Sequence, residues 1–211
     1  MIKYYDKPII HTMPQGTDEW RAVKCGKISA SSMADVLASR RNGGESKTRK
    51  TYMLRLLAER LSGIPQETYQ NGAMQWGVEN EPFARQAYEM DKLLYSTQIG
   101  FYQTSDFTGC SPDGLIDDDG LIEIKCPYTS THLQYILDNK APCEYYAQVQ
   151  AQMWITGRQW CDFVSYDPRV LVRPYWCIRV PRDEDKIRAI EIEVEVFIDE
   201  LTRLEKKIKG E

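Results

Sequence analysis

Positions 111–125 constrain the fold of this chain more than any other stretch. Ser111-Pro112-Asp113-Gly114 leads into Leu115-Ile116. Asp117-Asp118-Asp119-Gly120 then supplies a tight polar turn, and Leu121-Ile122 begins a return that continues through Glu123-Ile124-Lys125. Short apolar runs on either side of an Asp/Gly turn predict a β-hairpin. Folding the chain back there brings Asp113 beside Glu123. Side chains alternate along a strand, so Glu123 and Lys125 leave one face while Ile124 enters the core. Two carboxylates and one ammonium therefore converge at the mouth of a small sheet.

That grouping has a chemical use. Adjacent carboxylates repel, and a hard divalent cation such as Mg²⁺ relieves the repulsion. The same cation acidifies a water and neutralises charge on a phosphoryl oxygen. A neighbouring lysine whose pKa is depressed by such a site can orient or deprotonate that water. These residues point to metal-dependent phosphodiester hydrolysis. They also suit a solvated hairpin whose lysine pairs with one acid, because proline, aspartate and glycine are common turn residues.

A length of 211 residues suits one sizeable domain, 1–211. No charged-then-apolar leader follows Met1 and no apolar run nears the length of a membrane span, which predicts a cytoplasmic protein with no membrane partner. The six cysteines (25, 110, 126, 143, 161, 177) form no C-x-x-C pair and there are two histidines, so the cysteines are expected to be small buried apolar residues. The net charge of −4 is unevenly spread. Residues 1–60 hold twelve Lys/Arg against six Asp/Glu, a balance of +6 that leaves −10 for the remainder. A basic surface on an otherwise acidic protein is compatible with nucleic acid.

Taken in order, residues 1–16 form an extended lead-in. Thr17 caps a helix running to about Lys24, and Ser29 caps a second through Ala38, with Ile28 placed to staple against Met33 or its neighbour. Residues 39–50 make a basic, glycine-containing loop, suited either to tracking a DNA backbone or to a mobile, solvated surface role. A helix over 48–61 follows, with Met53, Leu54, Leu57, Ala58 and Leu61 as its apolar set. Another spans 73–90, with Phe83, Ala87 and Met90 inward and a break expected just ahead of Pro82. Residues 93–103 read as a strand. Beyond the hairpin come helices over 130–139 and 144–156, strands over 159–166 and 174–180, and a long helix from Arg182. Its stripe is Ile187, Ile190, Val194, Phe197, Leu201 and Leu204.

The pairing of Pro112-Asp113 with Glu123-x-Lys125 resembles the signature of the PD-(D/E)XK nuclease superfamily. More narrowly, Cys110-Ser111-Pro112-Asp113-Gly114 and Glu123-Ile124-Lys125-Cys126-Pro127-Tyr128-Thr129-Ser130 are similar to the lambda-exonuclease (YqaJ-type) family of phage alkaline exonucleases. Trp20 through Ser31, Trp76-Gly77 with Glu81 and Arg85, Ala147-Gln148-Val149-Gln150, Met153-Trp154 and Tyr166-Asp167-Pro168-Arg169 match as well. The similarity covers roughly residues 17 to 205.

The resemblance implies an α/β domain with a restriction-endonuclease-like core, a central mixed sheet flanked by helices. It implies Mg²⁺, with Mn²⁺ as the alternative, at one or two ions per subunit. Asp113, Glu123, the Ile124 backbone carbonyl and Glu81 would be the ligands. Lys125 would be the general base or water-orienting group, assisted by Gln148. Lys24, Ser31 and Ser111 fall to DNA and 5′-phosphate binding, and Met74 to strand separation. Two departures stand out: Lys24 replaces an arginine, and Thr131 stands where an arginine grips the terminal phosphate. His132, Lys47 and Arg49 are the candidates to compensate. The implied activity is 5′-to-3′ digestion of linear double-stranded DNA to mononucleotides, leaving a 3′ single strand for recombination by strand annealing. A homotrimeric ring, a single-strand annealing partner and a bacterial or phage setting follow from the same likeness. An endonuclease of the same fold and a non-catalytic DNA-binding protein are the alternatives.

Overall fold

The computed structural model describes residues 4–39, 46–66 and 72–211. The expected basic loop therefore lies outside the described residues at positions 40–45, as does the loop at 67–71. The N-terminal lead-in is extended but is not a free arm. Tyr4–His11 is strand β1 and pairs antiparallel with β4 (Phe101–Ser105). Thr17 caps α1 (Asp18–Lys24) by accepting the Trp20 N–H.

The expected second helix is corrected. Ile28–Ser29 is strand β2, Ala30–Ser32 is a 3₁₀ turn and α2 is the single turn Met33–Val36. Ser29 makes no side-chain cap bond there, because its hydroxyl meets that of Ser31 at 3.1 Å instead. A stretch this short gathers little helix dipole.

Helix α3 (Lys47–Ser62) ends on Gly63 at φ +69, the left-handed conformation in which glycine pays no Cβ penalty. Its buried face is Tyr52, Met53, Leu56 and Leu57, while Leu54 and Leu61 are exposed. Helix α4 (Gly72–Lys92) passes through Pro82 without the expected break. Pro82 and Val78 lie on its exposed side, so the carbonyl that loses its partner faces water. Phe83 and Met90, expected inward, are also exposed; Asn80, Ala84, Arg85 and Tyr88 are the buried residues.

Among the described residues the expected mixed sheet is present, and a second, smaller sheet accompanies it. The smaller has the order β1-β4-β5-β2, with β5 formed by Thr108–Cys110. The larger is mixed, in the order β3-β6-β7-β8-β9: Ser96–Thr97, Gly114–Ile116, Gly120–Lys125, Trp160–Tyr166 and Tyr175–Pro181. Strands β6 and β7 form the expected hairpin, with Leu115 opposite Leu121 and Ile116 opposite Gly120. Strands β7 and β8 run parallel, which requires a crossover. Helices α5 (Thr129–Asp138) and α6 (Cys143–Thr156) supply it.

Alternation along β7 sorts the faces of this sheet. Leu121 joins Val149 and Met153 of α6 and Phe163 of β8 on one side. Ile122 and Ile124 join Ala84 and Tyr88 of α4 on the other. A third cluster packs α7 (Glu184–Lys209) against α2, α3 and α6 through Ile190, Val194, Phe197 and Leu201. Cys110 and Cys161 are buried as expected, Cys25, Cys126 and Cys177 are half-buried, and Cys143 is exposed. Among the described residues no helix is long and apolar enough to cross a membrane.

Candidate active site

The hairpin delivers its acids as its register dictates. Gly114 pairs with Ile122, and one further step sets Asp113 opposite Glu123. Asp113 Oδ2 accepts the Ile124 N–H at 2.6 Å. The turn is clamped by Arg158 Nη1, which donates to the carbonyls of Ile116, Asp117 and Gly120 at 2.9, 3.0 and 2.6 Å. From the other end, Gln15 Nε2 donates to the carbonyls of Ile99 and Pro112, both at 3.0 Å. The acids thus sit on a segment held at both extremities.

Glu123 is not at an open mouth: it is 2% exposed. Three donors surround it. Lys125 Nζ and Gln148 Nε2 reach Oε1 at 2.5 and 2.6 Å, and Gln152 Nε2 reaches Oε2 at 2.7 Å. Lys125 also lies over the Tyr145 ring, 4.8 Å from its centroid. Burial, and then the charge of Glu123, raise the Asp113 pKa well above the usual carboxylate range, against the opposing pull of Lys125. Burial works against the Lys125 ammonium, but Glu123 and Asp113 outweigh it and raise its pKa. Lys125 is therefore held as an ammonium, and a base role requires its two acids to be neutralised first.

The remaining expected residues divide. Glu81 lies on α4, across the sheet from the face that carries Glu123, and its carboxylate binds Arg85 Nη2 at 2.7 Å. Its charge still raises the pKa of Asp113 and of Cys126, though in each it is a lesser cause than burial. Arg85 is buried and also donates to Ser96 Oγ at 3.0 Å. Among the described residues no three His, Cys, Asp or Glu side chains already surround one point. The oxygen chemistry nonetheless fits a hard cation, since Asp113 and Glu123 are close enough to raise the proton affinity of Asp113.

A cavity of about 820 Å³ is lined by Lys24, Ser31 and Met74, together with Arg21, Lys27, Ser29 and Arg55. Three residues expected at the DNA end thus share one basic hollow. Burial, with the charge of Arg55 beside it, pulls the Lys24 pKa down to about 8. Its ammonium stands 3.8 Å from the Trp20 ring centroid. Ser111 lies elsewhere: its hydroxyl donates to the Gly100 carbonyl at 2.6 Å and accepts Trp20 Nε1 at 2.9 Å. It fastens α1 to the strand end before Asp113.

Two of the three candidates to stand in for Thr131 already have partners of their own. His132 is fully buried between Ser165 Oγ at 2.7 Å and the Arg173 carbonyl at 2.9 Å. Arg49 pairs with Glu200 of α7 at 2.5 Å. Lys47 lines a cleft with Asp35, Tyr52 and Arg55, and the last two also line the larger cavity. Arg55 and Gln152 were missed in the sequence because nothing marks one helical arginine or glutamine from another; for Gln152 the four-residue spacing from Gln148 was the available signal.

Residues 19–159 match the YqaJ-like viral recombinase domain. The fold is similar to the crystal structure of an alkaline exonuclease, LHK-Exo, from Laribacter hongkongensis. That protein is 44% identical, with a TM-score of 0.84 over 92% of this chain and 97% of the other. The structure of LHK-Exo in complex with dAMP gives 43% identity, the same TM-score and the same coverage. A phage-related exonuclease from Haemophilus somnus 129PT shares the fold at 17% identity, with a TM-score of 0.67 over 89% of this chain and 99% of the other. No curated protein matches. With a family match over most of its length and a close structural relative of nuclease activity, the chain belongs to the YqaJ-like viral recombinase family, the lambda-type alkaline exonucleases, and is a nuclease.

Proposed function

We propose that this protein is a Mg²⁺-dependent exonuclease that digests linear double-stranded DNA from a 5′ end, releasing mononucleotides and leaving a 3′ single strand. The observation that carries this reading is the cluster of Asp113, Glu123, Lys125 and Gln148 at one end of the hairpin. Asp113 and Glu123, with the Ile124 carbonyl, would hold the cation, and Glu81 would act from α4 through its charge. When bound, the cation would neutralise phosphoryl charge and acidify a water. Lys125 orients the attacking water and meets negative charge developing on the phosphate. Gln148 keeps Glu123 turned toward that centre.

Lys24 and Ser31 would receive the terminal phosphate in the basic cavity, with Met74 at its edge to part the strands. Trp20 lines that cavity and bonds Ser111, two residues before Asp113, so phosphate capture and cleavage would take place side by side. Release of mononucleotides agrees with the dAMP complex of LHK-Exo. A three-subunit ring around DNA, a single-strand annealing partner and action in the bacterial cytoplasm rest on the family likeness.

The test is digestion of linear duplexes carrying a 5′-phosphate or a 5′-hydroxyl, with Mg²⁺ present or chelated, beside covalently closed circular DNA. The expected outcome is loss of linear duplex only, dependent on Mg²⁺ and faster from the phosphate end. Linearisation of the circle would instead identify an endonuclease of the same fold.

A further inference from the structure

The hydrogen bonds around Glu123 are unequal. Oε1 takes two donors, from Lys125 and Gln148, whereas Oε2 takes one, from Gln152 at 2.7 Å. Gln152 is 1% exposed and lies one helical turn beyond Gln148, so both amides of α6 address one carboxylate. Its own Oε1 is buried and meets no protein donor. Turning the amide over would set that oxygen against Glu123, so the contact fixes which way the group points.

We propose that Gln152 is a positioning residue for cation binding: it pins Glu123 Oε2 and fixes the plane of the carboxylate. An ionised carboxylate offers about four lone-pair sites. Protein donors occupy three, which leaves one on Oε2 for the cation. A neutral amide does this without cancelling the charge, where a guanidinium in the same place would remove the attraction for a cation. Gln148 and Gln152 also grip the two oxygens separately, so the carboxylate keeps its orientation when Lys125 turns toward substrate.

This inference rests on the metal-dependent reading above. It is tested by calorimetric titration of Mn²⁺ into the full-length protein without DNA, comparing wild type with Gln152→Met and Gln152→Asn. Methionine keeps the length and loses the donor; asparagine keeps the amide but falls short by one methylene. Thermal unfolding of each variant establishes that it is folded. The expected result is a dissociation constant raised about 10–100-fold in both variants, the usual cost of removing a partner of a metal ligand. An unchanged constant in either folded variant overturns the proposal, and so does failure of both variants to fold, which makes Gln152 a residue of the core alone. Absence of Mn²⁺ binding to the wild type overturns the metal-dependent reading itself, a separate outcome.

Discussion

Strands β7 and β8 each bury one carboxylate, and the two are treated differently. Asp162 of β8 is 1% exposed and faces α4. Arg179 grips both its oxygens, at 2.8 and 2.9 Å, and Tyr88 of α4 adds a hydroxyl bond at 2.9 Å. The guanidinium in turn stacks 3.5 Å from the Trp160 ring centroid. Its charge is balanced by a fixed fork, and it joins α4 to the sheet. Glu123 of β7 faces α6 and is held by two neutral amides and one flexible ammonium, with a second acid opposite. One arrangement closes on itself; the other retains a demand for positive charge. Burial of an acid does not distinguish scaffold from site, but the nature of its partners does.

The contrast can be broken at each acid. Lys125→Ala is expected to lower kcat by about 10²–10³-fold, the range for losing a donor to developing negative charge, in protein that remains folded. Single-turnover digestion and a thermal scan check both halves. A variant that cuts at the wild-type rate would remove Lys125 from the chemistry. Asp162→Ala should do the reverse. Arg179 is half-exposed and can turn to water, but the buried Tyr88 hydroxyl loses its acceptor, at a cost of about 1–3 kcal/mol. Urea unfolding measures that loss, and the cleavage rate of the protein that remains folded should change little.

The smallest expected effect sharpens the electrostatics of the cavity. With its pKa near 8, Lys24 is charged below that pH and loses its charge as pH rises through it. Preference for a 5′-phosphate over a 5′-hydroxyl, measured as the ratio of kcat/KM values, should therefore fall several-fold across pH 8, about the worth of one partly screened charge. A flat ratio from pH 7 to pH 9 would show that Lys24 does not carry the discrimination.

The hairpin was legible because period-two apolar residues flank an unmistakable Asp/Gly turn, and that pattern alone brings Asp113 opposite Glu123. The stripe of α7 is legible for the same kind of reason: Ile187, Ile190, Val194, Phe197 and Leu201 recur at helical spacing and are buried, while Ile192, Val196 and Ile208 fall off the stripe and are exposed. Helix α4 departs from the expected pattern because Asn80 and Arg85 share its inner face with Ala84 and Tyr88. Asn80 returns its amide to the Trp76 carbonyl and Arg85 spans Glu81 and Ser96, so these turn inward and leave Phe83 and Met90 outside. Hydrophobic periodicity cannot anticipate a helix whose inner face carries ion pairs. The split into two sheets was hidden in strands of two to five residues, too short to show a period.

The indole of Trp20 has one further consequence. Its N–H is shared between the Gly100 carbonyl and Ser111, and its face carries the Lys24 ammonium. A ring gripped at its edge and charged across its plane ties the proposed seat of the DNA end to the segment that leads into Asp113. It is also one of five tryptophan fluorophores, so a change in emission on adding DNA ends that disappears in Trp20→Phe would give an optical gauge of whether an end has been seated.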